Sequence, residues 1–329
     1  MTIIIGIEST AHTFGIGVVK DGKVLVNIRE MYTTKSGGII PTESAKHHKK
    51  VSKQVYVKAL KQAKIKESEI DAIAFSQGPG LAPCLIEGMK FSKELCKKLN
   101  KPVVPVNHCV AHLEIGKITK ANNPVLLYVS GANTQVIAYA SGKYRVFGET
   151  LDIGVGNFID NFARYAGIGF PGGPKIEKLA EKGNQLIELP YRVKGMDVAL
   201  SGILTNLKQK LESKSYKIED LAFSLQETVF AMLVETAERA LAHVNKKELL
   251  LGGGVACNSR LVEMCKIMCK ERGAKLFVPS KDLLVDNGAM IAYLGEIIYK
   301  SGKKSFLNKL DGIDIKPRQR TDDVLVDWK

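Results

Sequence analysis

A chain of 329 residues is long for a single core and suits two domains. Its 45% hydrophobic and 25% charged content is that of a globular protein in water, and no apolar run nears the roughly 20 residues of a membrane span, which argues against a membrane protein. The formal net charge of +14 points to a polyanionic partner such as nucleic acid, although a lysine-rich proteome gives the same figure. The start, "MTIIIGIEST", lacks the basic region and cleavage site of a secretion signal, so the expected location is the cytoplasm. The six cysteines form no CxxC pair and are expected to be free thiols of a reducing compartment.

The first thirty residues alternate like a β-meander: "IIIGIE", a turn "STAHT", "FGIGVV", a tight turn "KDG", and "KVLVNIRE". Residues 46–66 then read as a helix with Val51, Val55, Ala59 and Leu60 near its buried side. Lys46, Lys49, Lys50 and Lys53 gather on another side, as either a solvated face or an RNA-binding one. No aromatic interleaves them, so base stacking is not signalled there. A buried strand, a glycine loop and a helix follow in "IDAIAFSQGPGLAPCLIEGMKFSKELC", then a short strand and helix in "KPVVPVNHCVAH".

After the polar break "TKANNP" the pattern starts again with "VLLYVS", "GAN", "TQVIAYA", "SG" and "KYRVFG". Its later parts are "KELLLGGGVACNSRLVEMCKIMCKERG" and "AKLFVPSKDLLVDNGAM". Each half reads as three strands, helix, strand, helix, strand, helix. We expect two homologous α/β domains, 1–123 and 124–329, with an insertion at 148–183 and a C-terminal segment packing back on the first domain. This is the layout of the actin, hexokinase and heat-shock-ATPase superfamily, with a nucleotide in the cleft between domains. The turns Ser9–Thr13 and Gly131–Asn133 then face that cleft. The layout alone does not set the chemistry.

His108 and His112 lie four apart, one helical turn, just after a strand. "DNGAM" follows the matching strand of the second half, which brings Asp286 towards the two imidazoles across the cleft. Two imidazoles and a carboxylate suit Zn(II) or non-haem Fe(II), and Tyr128 can add a phenolate oxygen. The alternative is a pair of histidines that caps or packs a helix. A zincin-type protease is excluded, because Cys109 stands where HExxH needs its glutamate, and Glu114 lies two residues past the second histidine.

In the insertion, "FPGGPKIEKLA" is a glycine turn opening a helix, whose N-terminus favours anions. Asp160, Lys175 and Glu177 are its charged candidates, and such carboxylates bind ribose hydroxyls. "LGGGVACNSR" lets backbone approach a ligand, with Asn258 near a helix start. Glu8 ends the first strand, either as an acid/base or metal-water partner or as a hydrogen-bonding residue of its own turn. The tail 316–329 is basic then acidic and holds the single tryptophan, Trp328. It reads as a solvated end, a kinase contact or the entry to a fused kinase domain.

Together these stretches closely resemble the archaeal and eukaryotic tRNA N6-adenosine threonylcarbamoyltransferases, the TsaD-like family once called O-sialoglycoprotein endopeptidases. The resemblance runs in order through "GIESTAHT", "SQGPGL", "NHCVAH", "YVSGANTQ", "ETLDIGVGNFID", "GFPGGPKIEKLA", "LGGGVACN" and "DNGAMIAY". "NHCVAHLEI" and "NTQV" are similar to the archaeal branch. The resemblance implies one divalent metal, Fe(II) or Zn(II), on His108, His112, Tyr128 and Asp286. It implies an adenine nucleotide held by the backbone of Tyr128, Val129, Ser130, Gly131 and Ala132 and by Asp160, Gly173, Glu177 and Asn258. It also implies transfer from L-threonylcarbamoyl-AMP to tRNA, and work beside KEOPS subunits: a small atypical protein kinase, a dimerising subunit and a tRNA-recruiting subunit. The family usually has two glycines where this chain has Gly131-Ala132; a left-handed backbone at Ala132 costs on the order of 1 kcal/mol. The competing expectations are an ATPase of the same superfamily, which has no need of the histidine pair, and a small-molecule kinase with a Mg²⁺ site.

Overall fold

A computed structural model of the chain describes residues 1–34, 38–302 and 310–328. The first meander is β1 (Ile3–Glu8), β2 (Thr13–Lys20) and β3 (Lys23–Met31). It is followed by α1 (Pro41–Ala63), β4 (Ala72–Gly78), α2 (Ala82–Leu99), β5 (Val103–Asn107) and α3 (His108–Ile115). The second meander is β6 (Val125–Val129), β7 (Thr134–Ala140) and β8 (Lys143–Glu149). Next come α4 (Val155–Tyr165), α5 (Gly173–Ala180), β9 (Val193–Lys194), β10 (Asp197–Val198), α6 (Ser201–Glu212) and α7 (Ile218–His243). The chain continues with β11 (Glu248–Gly252), α8 (Ser259–Glu271), β12 (Lys275–Phe277), α9 (Lys281–Leu284) and α10 (Gly288–Lys300).

The two halves build the same sheet. The first has the order β3-β2-β1-β4-β5, and the second β8-β7-β6-β11-β12. In each, the meander pairs antiparallel and the two later strands join in parallel. The inner strands β1 and β6 are buried along their whole length, because both faces of each sheet are covered. One face of the first sheet packs Ile5, Ile7, Phe14 and Ile16 against Val55, Tyr56 and Phe91 of α1 and α2. The outer face of the second packs on the helices between α4 and α8.

The third core lies between the sheets, and there the halves exchange helices. The end of α3 sits on the second sheet, where a Cβ at Gly116 would be 2.2 Å from the Leu250 side chain. In return α10 lies on the first sheet. A Cβ at Gly17 would be 2.2 Å from the Ala289 backbone nitrogen, and one at Gly288 would be 2.2 Å from the Gly17 nitrogen. Glycine at these two positions is what lets a helix backbone approach a strand backbone so closely.

The helical insertion runs further than residue 183. Ile187, Leu189, Val198, Leu200, Ile203 and Leu207 continue into the same core as α4 and α5, so α6 closes the insertion and α7 resumes the repeat. The C-terminal segment touches both sheets. Lys316 N donates to Gln77 O and Gly80 N to Pro317 O, while Arg320 reaches Glu149 of β8. Lys329, the last residue of the tail, lies outside the described residues.

Candidate active site

The exchanged helices set the centre of the cleft. Asn107 caps α3 by accepting from Val110 N at 3.0 Å, which starts the helix at His108 and turns both histidines of "HCVAH" one way. Asn287 caps α10 in the same manner, accepting from Met290 N at 3.0 Å, and leaves Asp286 at the helix entrance. Because α10 lies on the first sheet, Asp286 meets α3: its Oδ1 is 3.4 Å from His108 Nε2 and 3.3 Å from His112 Nε2. One donor atom from each residue lies within 4.8 Å of the others. Tyr128, at the end of β6, packs with its ring tilted against that of His112, centroids 5.0 Å apart. Its hydroxyl is buried without a hydrogen-bond partner, as is His112 Nδ1.

The charges follow from this geometry. Burial opposes the His108 cation, but the Glu8 and Asp286 carboxylates outweigh it and hold its pKa well above the usual imidazole value. Burial likewise works against the Asp286 carboxylate, and the His108 cation outweighs it and holds that group well below the usual range. Burial lowers His112 and raises Tyr128. Two histidines, a carboxylate and an orphaned phenol converging in a buried site are a donor set that fits one divalent transition metal. An unpaired buried hydroxyl costs about 1–3 kcal/mol, which a ligand there offsets.

Glu8 is placed behind this cluster rather than at the cleft. It is fully buried; Oε1 accepts from Thr10 N at 2.7 Å and Thr10 Oγ1 at 2.5 Å, while Oε2 lies 3.0 Å from His108 Nδ1. A carboxylate on the far nitrogen of a ligating histidine fixes the ring and its tautomer. Glu114 also points away from the cleft: it is buried with Tyr144, Lys117 and Trp328, which ties the tail to α3.

A cleft of about 810 Å³ opens beside the cluster, and its lining includes His108 and Asp286 as well as Ser130, Gly131, Ala132, Asp160, Gly173, Glu177 and Asn258. The β6–β7 turn is held from below by α4, with Gly156 N and Asn157 N donating to Ser130 O and Gly131 O. Ala132 is not among the residues of positive φ, so alanine sits there without strain. Val129 is buried in the core, and neither it nor Tyr128 is among the residues that line the cleft.

Three expected ligands also hold the cleft together. Asp160 Oδ1 accepts from Gly172 N at 2.7 Å, so the anion at the start of α5 is this carboxylate, which burial pushes up in pKa. Glu177 binds Ser259 through its backbone and hydroxyl, joining α5 to α8. Asn258 caps α8, accepting from Arg260 N at 2.9 Å. Lys175 donates to Gly169 O and does not line the cleft. The turn Ser9–Thr13 faces the cleft as expected, with Thr10, Ala11, His12 and Thr13 in its lining, whereas Arg164, Phe170 and Pro317 line it without a signal in the sequence. "FPGGP" had shown the turn, but not that its aromatic would face the other half.

Comparison with known proteins bears on this geometry. Residues 23–293 match the TsaD family, tRNA N6-adenosine threonylcarbamoyltransferase. The enzyme of that name from Thermococcus kodakarensis is 56% identical over 326 residues, covering 99% of each chain. A probable bifunctional tRNA threonylcarbamoyladenosine biosynthesis protein of Methanocaldococcus jannaschii is 51% identical, over 99% of this chain and 60% of that longer one. Among solved structures, HypF of T. kodakarensis matches 91% of this chain and 48% of its own at a TM-score of 0.64 and 14% identity. An activator of 2-hydroxyisocaproyl-CoA dehydratase from Clostridium difficile matches 93% and 99% at 0.57 and 12%. At such identities these two speak for the fold alone, which is of the actin/hexokinase/heat-shock-ATPase type. No helix among the described residues is long and apolar enough to cross a membrane. The chain belongs to the TsaD family of tRNA N6-adenosine threonylcarbamoyltransferases.

Proposed function

We propose that the chain moves the threonylcarbamoyl group of L-threonylcarbamoyl-AMP to the N6 amine of the adenosine beside the anticodon, in tRNAs that read ANN codons. The observation that carries this reading is one cleft of about 810 Å³ whose lining joins the His108–His112–Asp286 cluster to the exposed Gly131–Ala132 turn. His108, His112, Asp286 and the Tyr128 phenol hold a divalent metal, Fe(II) or Zn(II), with Glu8 orienting His108. When bound, that ion supplies Lewis acidity for the carbamoyl carbonyl.

The chain's own groups do the rest. The exposed Gly131–Ala132 turn offers N–H groups that the hairpin does not use, suited to a phosphate that gains charge as AMP leaves. Asp160, Glu177 and Asn258 line the cleft and border the adenylate. The net charge of +14 serves the tRNA phosphates, and the target base leaves its stack to enter the cleft. By family resemblance the chain is the catalytic subunit of a KEOPS assembly in the cytoplasm, beside a kinase, a dimerising subunit and a tRNA-recruiting subunit.

The test is transfer of labelled threonine from threonylcarbamoyl-AMP to unmodified tRNA with those subunits supplied, with bound metal measured alongside. Wild type is expected to transfer, and His112→Ala to lose both metal and activity. Full activity and full metal in the mutant removes the metal site. A wild type that never transfers, yet hydrolyses ATP without RNA, brings the ATPase reading forward.

A further inference from the structure

The proposed transfer leaves one chemical need unmet. As the amine nitrogen attacks, it must shed a proton, and neither Glu8 nor the histidine cluster is free to take it. Glu8 is buried and engaged on both oxygens. His108 and His112 share Asp286. Among the other imidazoles His48 is fully buried, His47 packs on Tyr32 and His243 on Phe147. That leaves His12, which together with His108 makes up the histidines lining the cleft.

His12 stands in the β1–β2 turn, two residues after Thr10, whose Oγ1 lies 3.4 Å from His108 Nδ1. The turn thus touches the His108 cluster through Thr10 and sets the imidazole in the same cleft, beside Asp160. Across the opening, Phe170 from the insertion meets the His12 ring edge to face, with centroids 5.4 Å apart. The two rings come from opposite halves of the chain, and both are partly exposed. The titratable groups acting on His12 are Asp160 of α4 and His48 of α1. No ring nitrogen of His12 has a hydrogen-bond partner among the described residues, so the imidazole is open to a ligand.

We propose that His12 and Phe170 form the seat of the incoming adenine, with the base stacked on Phe170 and its exocyclic amine donating to the His12 imidazole. The inference rests on the transfer reading above. In the step, the amine nitrogen forms a bond to the carbamoyl carbon. The bond from that carbon to the phosphate oxygen breaks, AMP departs with its electron pair, and the amine proton passes to His12. An aromatic shelf beside a proton acceptor is what an enzyme acting on an extruded base requires.

The experiment is single-turnover transfer from threonylcarbamoyl-AMP to unmodified tRNA across pH, with the partner subunits supplied and AMP binding measured in parallel. His12→Gln is expected to lower the rate about 100-fold or more, to abolish the acid limb of the pH–rate profile, and to bind AMP within about threefold of wild type. Added imidazole is expected to restore part of the rate to His12→Ala. Phe170→Leu is expected to raise the half-saturating tRNA concentration about tenfold, through lost stacking. A His12→Gln enzyme that transfers within threefold of wild type on an unchanged pH profile overturns the proton role. An unchanged tRNA requirement in Phe170→Leu overturns the seat. Either failure, with wild type active, leaves the transferase reading standing; an inactive wild type sinks that reading and this inference together.

Discussion

Gly17→Ala tests whether helix exchange sets the site. The added Cβ would fall 2.2 Å from the Ala289 nitrogen and 2.3 Å from its Cα. Both are backbone atoms with no torsion to turn aside, so β2 and α10 must part by about 1 Å to reach ordinary contact. Overpacking of this kind costs about 1–3 kcal/mol. Asp286 lies three residues before Ala289 and moves with α10, and its Oδ1 stands only 3.3 and 3.4 Å from the two imidazoles. A misplacement of about 1 Å in a catalytic constellation costs about 100-fold in rate. We expect Gly17→Ala to melt several degrees below wild type, to bind the transition metal more weakly and to transfer about 100-fold more slowly. The control is Gly202→Ala in α6, where a Cβ meets nothing within 4 Å; it should match wild type or gain slightly in stability. Thermal melts, metal titration and the transfer assay on both variants decide it. Equal melting and metal affinity in Gly17→Ala and wild type would refute the argument that α10 is clamped on the first sheet.

Two further outcomes follow from buried groups. Glu8→Gln should weaken metal affinity 10- to 100-fold by loosening His108, without moving the acid limb of the transfer profile. A lost limb with intact metal affinity would instead make Glu8 the proton acceptor. His48 is fully buried and burial lowers its pKa to about 4, below the ordinary 6.5, so between these values the unfolded chain binds the extra proton. Stability present above about pH 6.5 is therefore lost as pH falls towards 4, by up to about 3 kcal/mol. Urea titrations from pH 7 to 4 should show that slope, and His48→Phe should flatten it; an equal slope in both would assign the acid sensitivity elsewhere.

By itself the sequence determined the two meanders, the order of helices and strands after each, and the helix start at Asn258. These are local: alternation and helical periodicity, turn residues and side-chain oxygens at helix starts act over a few positions. The four-residue spacing of His108 and His112 likewise set both rings on one face of α3 before any packing was known. The repeat then aligned Asp286 with them, although 174 positions separate it from His112.

Packing decided the rest. Only the tertiary structure laid α10 on the first sheet, which turns an alignment of repeats into atoms a few ångströms apart. It turned Glu8 inward, because the amide and hydroxyl of Thr10 and the ring of His108 together satisfy a carboxylate that water cannot reach. It also carried the insertion on through α6, since apolar residues beyond 183 share the core of α4 and α5. The contact of His12 with Phe170 has no local signature at all. Their rings meet because the two halves close on each other, and a sequence pattern carries no term for that distance.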